Sequence, residues 1–144
     1  QLLQLKKKDK VLEIGTGSMY QTLILAEMGV KVYTIERQKE LFDKIAFFEF
    51  KNKYQNIHFH FGDGFEGLPE YAPFDKILIT AAAPKIPEKL WEQLKPLGKM
   101  VIPLDEADGI QRMLRLTKKR DGSIKKESFS AFSFVPMLEG KTGK

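Results

Sequence analysis

The 144-residue sequence contains no cysteine, which excludes disulfide bonds, thiolate nucleophiles and thiolate metal sites. It has no apolar run close to the roughly 20 residues that a membrane-spanning helix needs. No signal-peptide pattern opens the chain either. These absences predict a cytoplasmic protein that does not span a membrane, and we predict no metal site.

What is present has the composition of a globular domain, with 42% hydrophobic and 30% charged residues. This length predicts a single domain over residues 1–144. The chain begins with Gln1, not methionine, and reaches its first predicted strand almost at once. We therefore expect it to lack an upstream N-terminal segment.

The net charge of +5 comes largely from two lysine-rich segments, 6–10 and 118–126. Such segments are more often solvated loops than ligand sites. No aromatic side chains alternate with these lysines, as a platform for single-stranded nucleic acid would require. A nucleic-acid partner is therefore not expected, and the sequence does not indicate an oligomeric state.

Strand-like and helix-like segments alternate along most of the chain, which predicts an open parallel sheet covered by helices. The predicted strands are residues 10–14, 31–36, 57–61, 75–81 and 99–104. The predicted helices are residues 20–28, closed by Gly29, then 39–54 and 87–95. After these, segments 111–118 and 123–134 flank a turn and predict an antiparallel hairpin. The whole layout predicts an α/β, Rossmann-like methyltransferase fold, mostly parallel with a C-terminal antiparallel hairpin.

The stretch EIGTGSMYQ places Gly15 and Gly17 in a turn between the first strand and the first helix. A dinucleotide-binding fingerprint needs a third glycine, at the position where this chain has Tyr20. Glu13, at the end of the strand, would repel a pyrophosphate but suit a cationic ligand. S-adenosylmethionine has no phosphate and carries an ammonium and a sulfonium. The loop therefore favours this cofactor, and a nicotinamide enzyme of the same sheet type is the rival interpretation.

Two further acidic residues support the same ligand. Glu36 ends the second strand, where a carboxylate can accept hydrogen bonds from both ribose hydroxyls. Asp63 follows the third strand, where it could accept a hydrogen bond from the adenine amino group. Because carboxyl ends of parallel strands meet at one edge of a sheet, the acids are expected to converge there.

Several longer stretches resemble one known family. VLEIGTGSMYQ, VYTIER, FGDGFEGLPEYAPFDKILITAAAP, LWEQLKPLGKMVIPL and FSFVPMLEG closely resemble the protein-L-isoaspartate O-methyltransferases, over nearly the whole chain. The resemblance implies methyl transfer from S-adenosylmethionine to the α-carboxyl of L-isoaspartyl residues in damaged proteins, leaving S-adenosylhomocysteine. The methyl ester then collapses to a succinimide, so the implied role is protein repair.

The resemblance also implies which residues form the site. The implied cofactor residues are Glu13, Gly15, Gly17, Ser18, Glu36, Asp63 and Gly64. The implied substrate-binding residues are Thr80, Ala81, Ala82, Ala83 and Pro84, with Val135 and Pro136 along the peptide backbone. The family also carries a serine or threonine motif in its upstream region, so no residue of this chain is assigned that hydroxyl's role.

One position departs from the family pattern, because Met19 stands where the family usually has glycine. Its side chain is expected to pack within the helix, since methionine is flexible enough to fill such a gap. The alternative is that Met19 crowds the cofactor.

The expected chemistry needs few catalytic side chains, because a carboxylate is already ionised at neutral pH and requires no general base. In agreement, His58 and His60 alternate on one strand and are expected on a half-exposed strand face. The absence of cysteine also excludes a cysteine-dependent pyrimidine mechanism. Two alternatives remain: a cofactor-binding module without turnover, and a methyltransferase of another substrate such as RNA.

Overall fold

The computed structural model describes residues 2–17, 19–45, 54–105, 109–131 and 140–142. These residues form one seven-stranded sheet with the strand order β3-β2-β1-β4-β5-β6-β7. The strands are β1 Lys10–Ile14, β2 Lys31–Glu36, β3 Ile57–Phe61, β4 Phe74–Ile79, β5 Leu94–Asp105, β6 Gln111–Lys118 and β7 Ile124–Ala131. Strands β1 to β5 pair in parallel, and β6 and β7 pair antiparallel. The predicted fold class is confirmed.

The two faces of the sheet carry separate apolar clusters, because successive side chains of a strand point to opposite faces. One face packs around Leu12 and Ile77 and includes Leu90 from the helix before β5. The other face packs around Val11 and includes Leu25 from the first helix. Helices therefore cover both faces, as the alternating sequence pattern predicted.

The described helices are α1 Tyr20–Glu27, α2 Lys39–Ile45 and α3 Glu88–Glu92, and two 3-10 turns lie at Gly64–Glu66 and Pro69–Tyr71. Gly29 has φ +82° and donates its N–H to Ala26 O, so it closes α1 as predicted. The predicted helix over 39–54 is confirmed as far as Ile45, and its remainder up to residue 53 lies outside the described residues.

The predicted helix over 87–95 is wrong at its C-terminal end. Helix α3 stops at Glu92, and Leu94 already belongs to β5. The cause is tertiary, because Phe74 N donates to Gln93 O at 2.7 Å and Leu94 pairs with Phe74. Pairing with β4 overrides the local helical pattern.

The predicted hairpin is present, with Lys118 of β6 opposite Ile124 of β7. Near the opposite edge of the sheet, residues 140–142 contact the segment that follows the C-terminal end of β2. Thr142 N donates to Arg37 O at 2.8 Å, and Lys39 N donates to Thr142 O at 3.0 Å. None of the helices in the described ranges has the length and apolar character that crossing a bilayer requires.

The two histidines lie on the strand face expected for them. His58 is exposed and stacks on Tyr33, with 4.6 Å between ring centroids. His60 is partly buried beside Tyr71, with 5.3 Å between the rings, and this burial lowers its pKa. Both side chains therefore belong to an aromatic cluster on β2 and β3.

Candidate active site

The carboxyl ends of β1, β2 and β3 bring together the turn and the acids that the sequence singled out. The Gly15–Gly17 turn follows β1, Glu36 is the last residue of β2, and Asp63 lies two residues beyond β3. Gly15 N donates to Ile35 O at 2.9 Å, which joins the turn to the end of β2. The predicted convergence at one sheet edge is therefore present.

Glu36 holds the turn through its carboxylate. Its Oε1 accepts the N–H of Gly17 at 2.9 Å, and its Oε2 accepts the N–H of Gln38 at 2.9 Å. The side chain is only 4% exposed, so these bonds form in a largely desolvated setting. Each carboxylate oxygen retains a further lone pair. Glu36 can thus position the turn and still accept from a ligand.

Gly17 leaves room for a ligand beside the turn. Its φ is +55°, and a Cβ built on it would meet nothing within 4 Å among the surrounding atoms. Gly15 differs, because a Cβ there would lie 2.5 Å from Thr80 Oγ1. The two glycines therefore serve different purposes: one keeps open space, and the other lets β4 approach.

Glu13 lies beneath the turn, not in an open cleft. Its side chain is 0% exposed, and Oε1 accepts hydrogen bonds from the hydroxyls of Thr22 in α1 and, at 2.7 Å, Thr34 in β2. Burial raises the pKa of Glu13 to about 7, and the nearby Glu36 adds to the rise, while the two threonine hydrogen bonds oppose it. Its charge is therefore only partly present at neutral pH, unlike the full carboxylate charge on which the sequence argument rested.

Three buried threonines around Glu13 complete a network that sequence reasoning missed. Thr34 Oγ1 lies 2.6 Å from Thr16 Oγ1, and so connects Glu13 to the turn itself. Thr16, Thr22 and Thr34 are each at most 4% exposed. The only sequence signal of Thr22 and Thr34 is a hydroxyl within the largely apolar segments of α1 and β2, and Thr16 lies in the glycine turn between β1 and α1.

Thr80, directly after β4, contacts the C-terminal end of β1. Its hydroxyl donates to Ile14 O at 2.8 Å, and its backbone N–H donates to the same oxygen at 3.3 Å. The residue predicted as part of the substrate wall thus also joins β4 to the glycine turn.

The alanines that follow Thr80 differ in exposure. Ala82 and Ala83 are 2% and 0% exposed, and Ala83 exchanges hydrogen bonds with Pro103 O and Asp105 N of β5, at 3.0 Å each. Their side chains therefore pack into the protein, whereas Ala81 is partly exposed and Pro84 is exposed. Burial of Ala82 and Ala83 leaves Thr80, Ala81 and Pro84 as the accessible part of the predicted wall.

A cavity of about 270 Å³ lies between the loops after β3 and β4. Asp63 and Phe65 line it from one loop, and Pro84 and Lys85 line it from the other. Asp63 Oδ1 accepts the N–H of Phe65 at 2.9 Å, so the first 3-10 turn begins on this carboxylate. One residue predicted for the cofactor and one predicted for the substrate therefore line the same cavity.

Met19 is buried, with 1% exposure, directly before α1. Its φ of +73° lies in the left-handed region that glycine adopts without strain. The side chain is therefore buried, as the packing interpretation expects. The positive φ also gives a physical reason why glycine suits this position.

Met19→Gly is expected to lower the free energy of unfolding by about 1–3 kcal/mol, measured by urea denaturation. Loss of a buried methionine costs roughly 2–5 kcal/mol, and relief of the left-handed strain returns about 1–2 kcal/mol. Met19→Leu is the matched control, since it keeps the backbone strain and most of the volume. A more stable glycine variant would contradict the packing role.

Three predicted site residues, Ser18, Val135 and Pro136, lie outside the described residues. Gly64 is described, and is the buried first residue of the 3-10 turn after Asp63. Within the described ranges, no three His, Asp or Glu side chains come together as metal ligands would.

Comparison with known proteins agrees with the geometry. The family described as protein-L-isoaspartate(D-aspartate) O-methyltransferase matches residues 1–142. Protein-L-isoaspartate O-methyltransferases of Christiangramia forsetii and Flavobacterium psychrophilum are 49% and 50% identical over 141 residues, or 98% of this chain. The chain spans 65% of the length of each of these relatives.

Solved structures show the same likeness. A protein-L-isoaspartate O-methyltransferase superposes with a TM-score of 0.84 at 25% identity, over 93% of this chain and 43% of its own. A second, from Plasmodium falciparum in complex with S-adenosyl-L-homocysteine, has a TM-score of 0.73 at 25% identity over 95% of this chain and 68% of its own. On the match across residues 1–142 and the identity to these relatives, the chain belongs to the protein-L-isoaspartate O-methyltransferase family.

Proposed function

We propose that this chain transfers a methyl group from S-adenosylmethionine to the α-carboxylate of L-isoaspartyl residues in damaged proteins. The observation that carries the proposal is the cavity shared by Asp63 and Pro84. It lies at the carboxyl edge of a parallel sheet, where open α/β sheets bind their ligands. Family membership supplies the reaction class, and the shared cavity supplies a place where cofactor and acceptor could meet.

The residues at this edge fit S-adenosylmethionine. Glu36 retains lone pairs for the ribose hydroxyls, and the space beside Gly17 admits a ligand close to the backbone. Asp63 has one oxygen committed to Phe65 N, and no hydrogen bond from the described residues reaches the other, which can accept from the adenine amino group. Gly64 and Ser18 complete the proposed cofactor residues.

Glu13 would act on the cofactor indirectly. Its network with Thr34 and Thr16 reaches the turn from below, so its proposed role is to hold the turn in shape. With no exposed surface, its carboxylate does not offer a direct contact to a ligand in this conformation.

The bound cofactor supplies an activated methyl group, and the protein's task is to place the acceptor beside it. An α-carboxylate with a pKa near 4 is already ionised at neutral pH, so no side chain has to remove a proton. Ala81 and Pro84 would present apolar side chains beside the acceptor, and catalysis would rest on orientation. Thr80, Ala82, Ala83, Val135 and Pro136 stay proposed as substrate residues.

The test is methyl transfer by the purified 144-residue chain from radiolabelled S-adenosylmethionine to an isoaspartyl peptide. The same peptide with normal aspartate is the control. We expect a base-labile methyl ester on the isoaspartyl peptide alone. Cofactor binding without ester formation would instead support a binding module without turnover, and methylation of RNA alone would overturn the substrate assignment.

Glu36→Ala is expected to weaken S-adenosylhomocysteine binding by roughly 1–3 kcal/mol, because hydrogen bonds to the ribose hydroxyls lose their charged acceptor. Isothermal titration calorimetry measures the change. The variant also removes the acceptor for Gly17 N–H and Gln38 N–H, so unfolding should be followed separately.

A ribose-modified ligand separates these two effects of Glu36. The wild type should bind the 2′-deoxy analogue of S-adenosylhomocysteine more weakly than the parent ligand. The Glu36→Ala variant should bind the analogue and the parent ligand with about the same affinity. An equal loss of both ligands in the variant would mean that Glu36 only holds the turn.

The proposed partners are isoaspartyl-containing proteins or peptides, and S-adenosylhomocysteine is the proposed product. The cytoplasmic setting and the single domain over residues 1–144 stay predictions from the sequence.

A further inference from the structure

The buried amide of Gln93 reaches across to the loop that follows Asp63. Gln93 Oε1 accepts the N–H of Leu68 at 2.9 Å, and Nε2 donates to Glu66 O at 2.9 Å. The side chain is 6% exposed. Glutamine and asparagine are the side chains that offer an amide donor and acceptor together, and the pair here matches backbone groups on either side of Gly67.

Gly67 is shaped to receive this amide. Its φ is +63°, and a Cβ at this position would lie 2.4 Å from Gln93 Oε1 and 2.7 Å from Nε2. Any larger residue would push the amide away from both of its partners. The contact therefore depends on two residues: Gln93 after α3 supplies the amide, and Gly67 in the loop leaves space for it.

The loop held in this way is the one that carries Asp63 into the cavity. A single 3-10 turn connects them: Glu66 N donates to Asp63 O at 3.1 Å, and Gly67 N donates to Gly64 O at 3.2 Å. Because the turn has only these two backbone hydrogen bonds, contacts with side chains at its two ends add to its stability. Asp63 anchors its beginning through Phe65 N, and Gln93 anchors its end.

We propose that Gln93 is a positioning residue that sets adenine recognition by holding the 3-10 turn on which Asp63 lies. This inference rests on the proposed function, because it takes Asp63 as the acceptor for the adenine amino group. Without the amide, the end of the turn would lose two hydrogen bonds, and Asp63 would no longer point at a fixed place in the cavity.

The readout is discrimination between two ligands, which a merely structural role would not change. S-adenosylhomocysteine presents an amino group to Asp63, whereas S-inosylhomocysteine presents a carbonyl oxygen that a carboxylate repels. The wild type is expected to prefer the adenosyl ligand by about tenfold or more, since a site built for a hydrogen bond rejects an analogue that lacks it. Calorimetry on the purified chain gives both dissociation constants.

Gln93→Met keeps the side-chain volume and removes both hydrogen bonds, so the preference is expected to fall to about twofold or less. Gly67→Ala perturbs the same contact from the other side and should reduce the preference as well. Gln93→Glu retains an acceptor for Leu68 N–H, and it serves if the methionine variant does not fold. The matched control is Lys95→Ala, which removes a partly exposed ion pair with Asp75, two residues from Gln93 and outside the cavity lining.

A preference equal to that of the wild type in Gln93→Met, or in Gln93→Glu if the methionine variant does not fold, would overturn the proposal. A wild type that binds both ligands equally would overturn it too, and would locate the error at the contact between Asp63 and adenine. A wild type that binds neither ligand would overturn the proposed function itself. These three outcomes are distinct, so the two proposals can fail separately.

Discussion

Between about pH 5 and pH 8, the free energy of unfolding of the wild type is expected to fall as the pH rises. The Glu13→Gln variant is expected to lack this decrease. The pKa of Glu13 is raised from its ordinary 4.5 to about 7, mainly by burial. Between these two values the folded state holds a proton that the unfolded state releases, so the free energy of unfolding falls as the pH rises. A shift of this size corresponds to roughly 3 kcal/mol, fully lost above about pH 7 to 8.

The measurement is urea denaturation of both proteins at several pH values, read as the difference between wild type and variant. In this difference, the contributions of other groups that titrate in the same range, such as His60, cancel. Glu40→Gln is the control, because it removes the same charge at an exposed position in the first turn of α2. A pH-independent difference for Glu13→Gln would show that the buried carboxyl stays ionised in the folded protein.

Gly15→Ala is expected to lower the free energy of unfolding by about 2–4 kcal/mol. The backbone φ of +98° is strained for any residue with a Cβ, at a cost of about 1–3 kcal/mol. The new methyl would also lie 2.5 Å from Thr80 Oγ1. Thr80 is stiff at χ1, so moving its hydroxyl breaks the hydrogen bond to Ile14 O, at about 1 kcal/mol more.

Two further variants separate the strain at Gly15 from the collision. Gly17→Ala has only the backbone cost, since nothing lies within 4 Å of its Cβ position, so its loss should be about 1–2 kcal/mol. In a Thr80→Ala background the collision disappears, and Gly15→Ala should cost less there than in the wild type. Equal costs in both backgrounds would mean that β4 does not constrain the turn.

Much of the sheet is predictable from local sequence. β1, β2 and β3 begin and end at the predicted residues, because each is a short segment bounded by turn residues. The meeting of Gly15, Glu36 and Asp63 at one edge also follows from sequence order, since consecutive parallel strands end on the same side.

Other features depend on contacts that sequence pattern does not encode. Leu94 and Lys95 are predicted as helix but belong to β5, because β4 lies alongside and Phe74 pairs with Leu94. Gln93 itself gives no signal in the sequence, since its two partners lie about 25 residues earlier. The sequence of a helical segment does not show whether a glutamine side chain in it faces solvent or contacts a loop.

By itself the sequence determined the parallel sheet, the glycine turn, the convergence of three acids and the family. Tertiary structure alone decided what each acid does. The carboxylate of Glu36 holds the turn, Asp63 lines a cavity with Pro84, and Glu13 lies buried among threonines under α1. Charge and burial of a strand-end carboxylate depend on which helix covers it and which neighbours donate to it, and only the folded chain brings those neighbours into place.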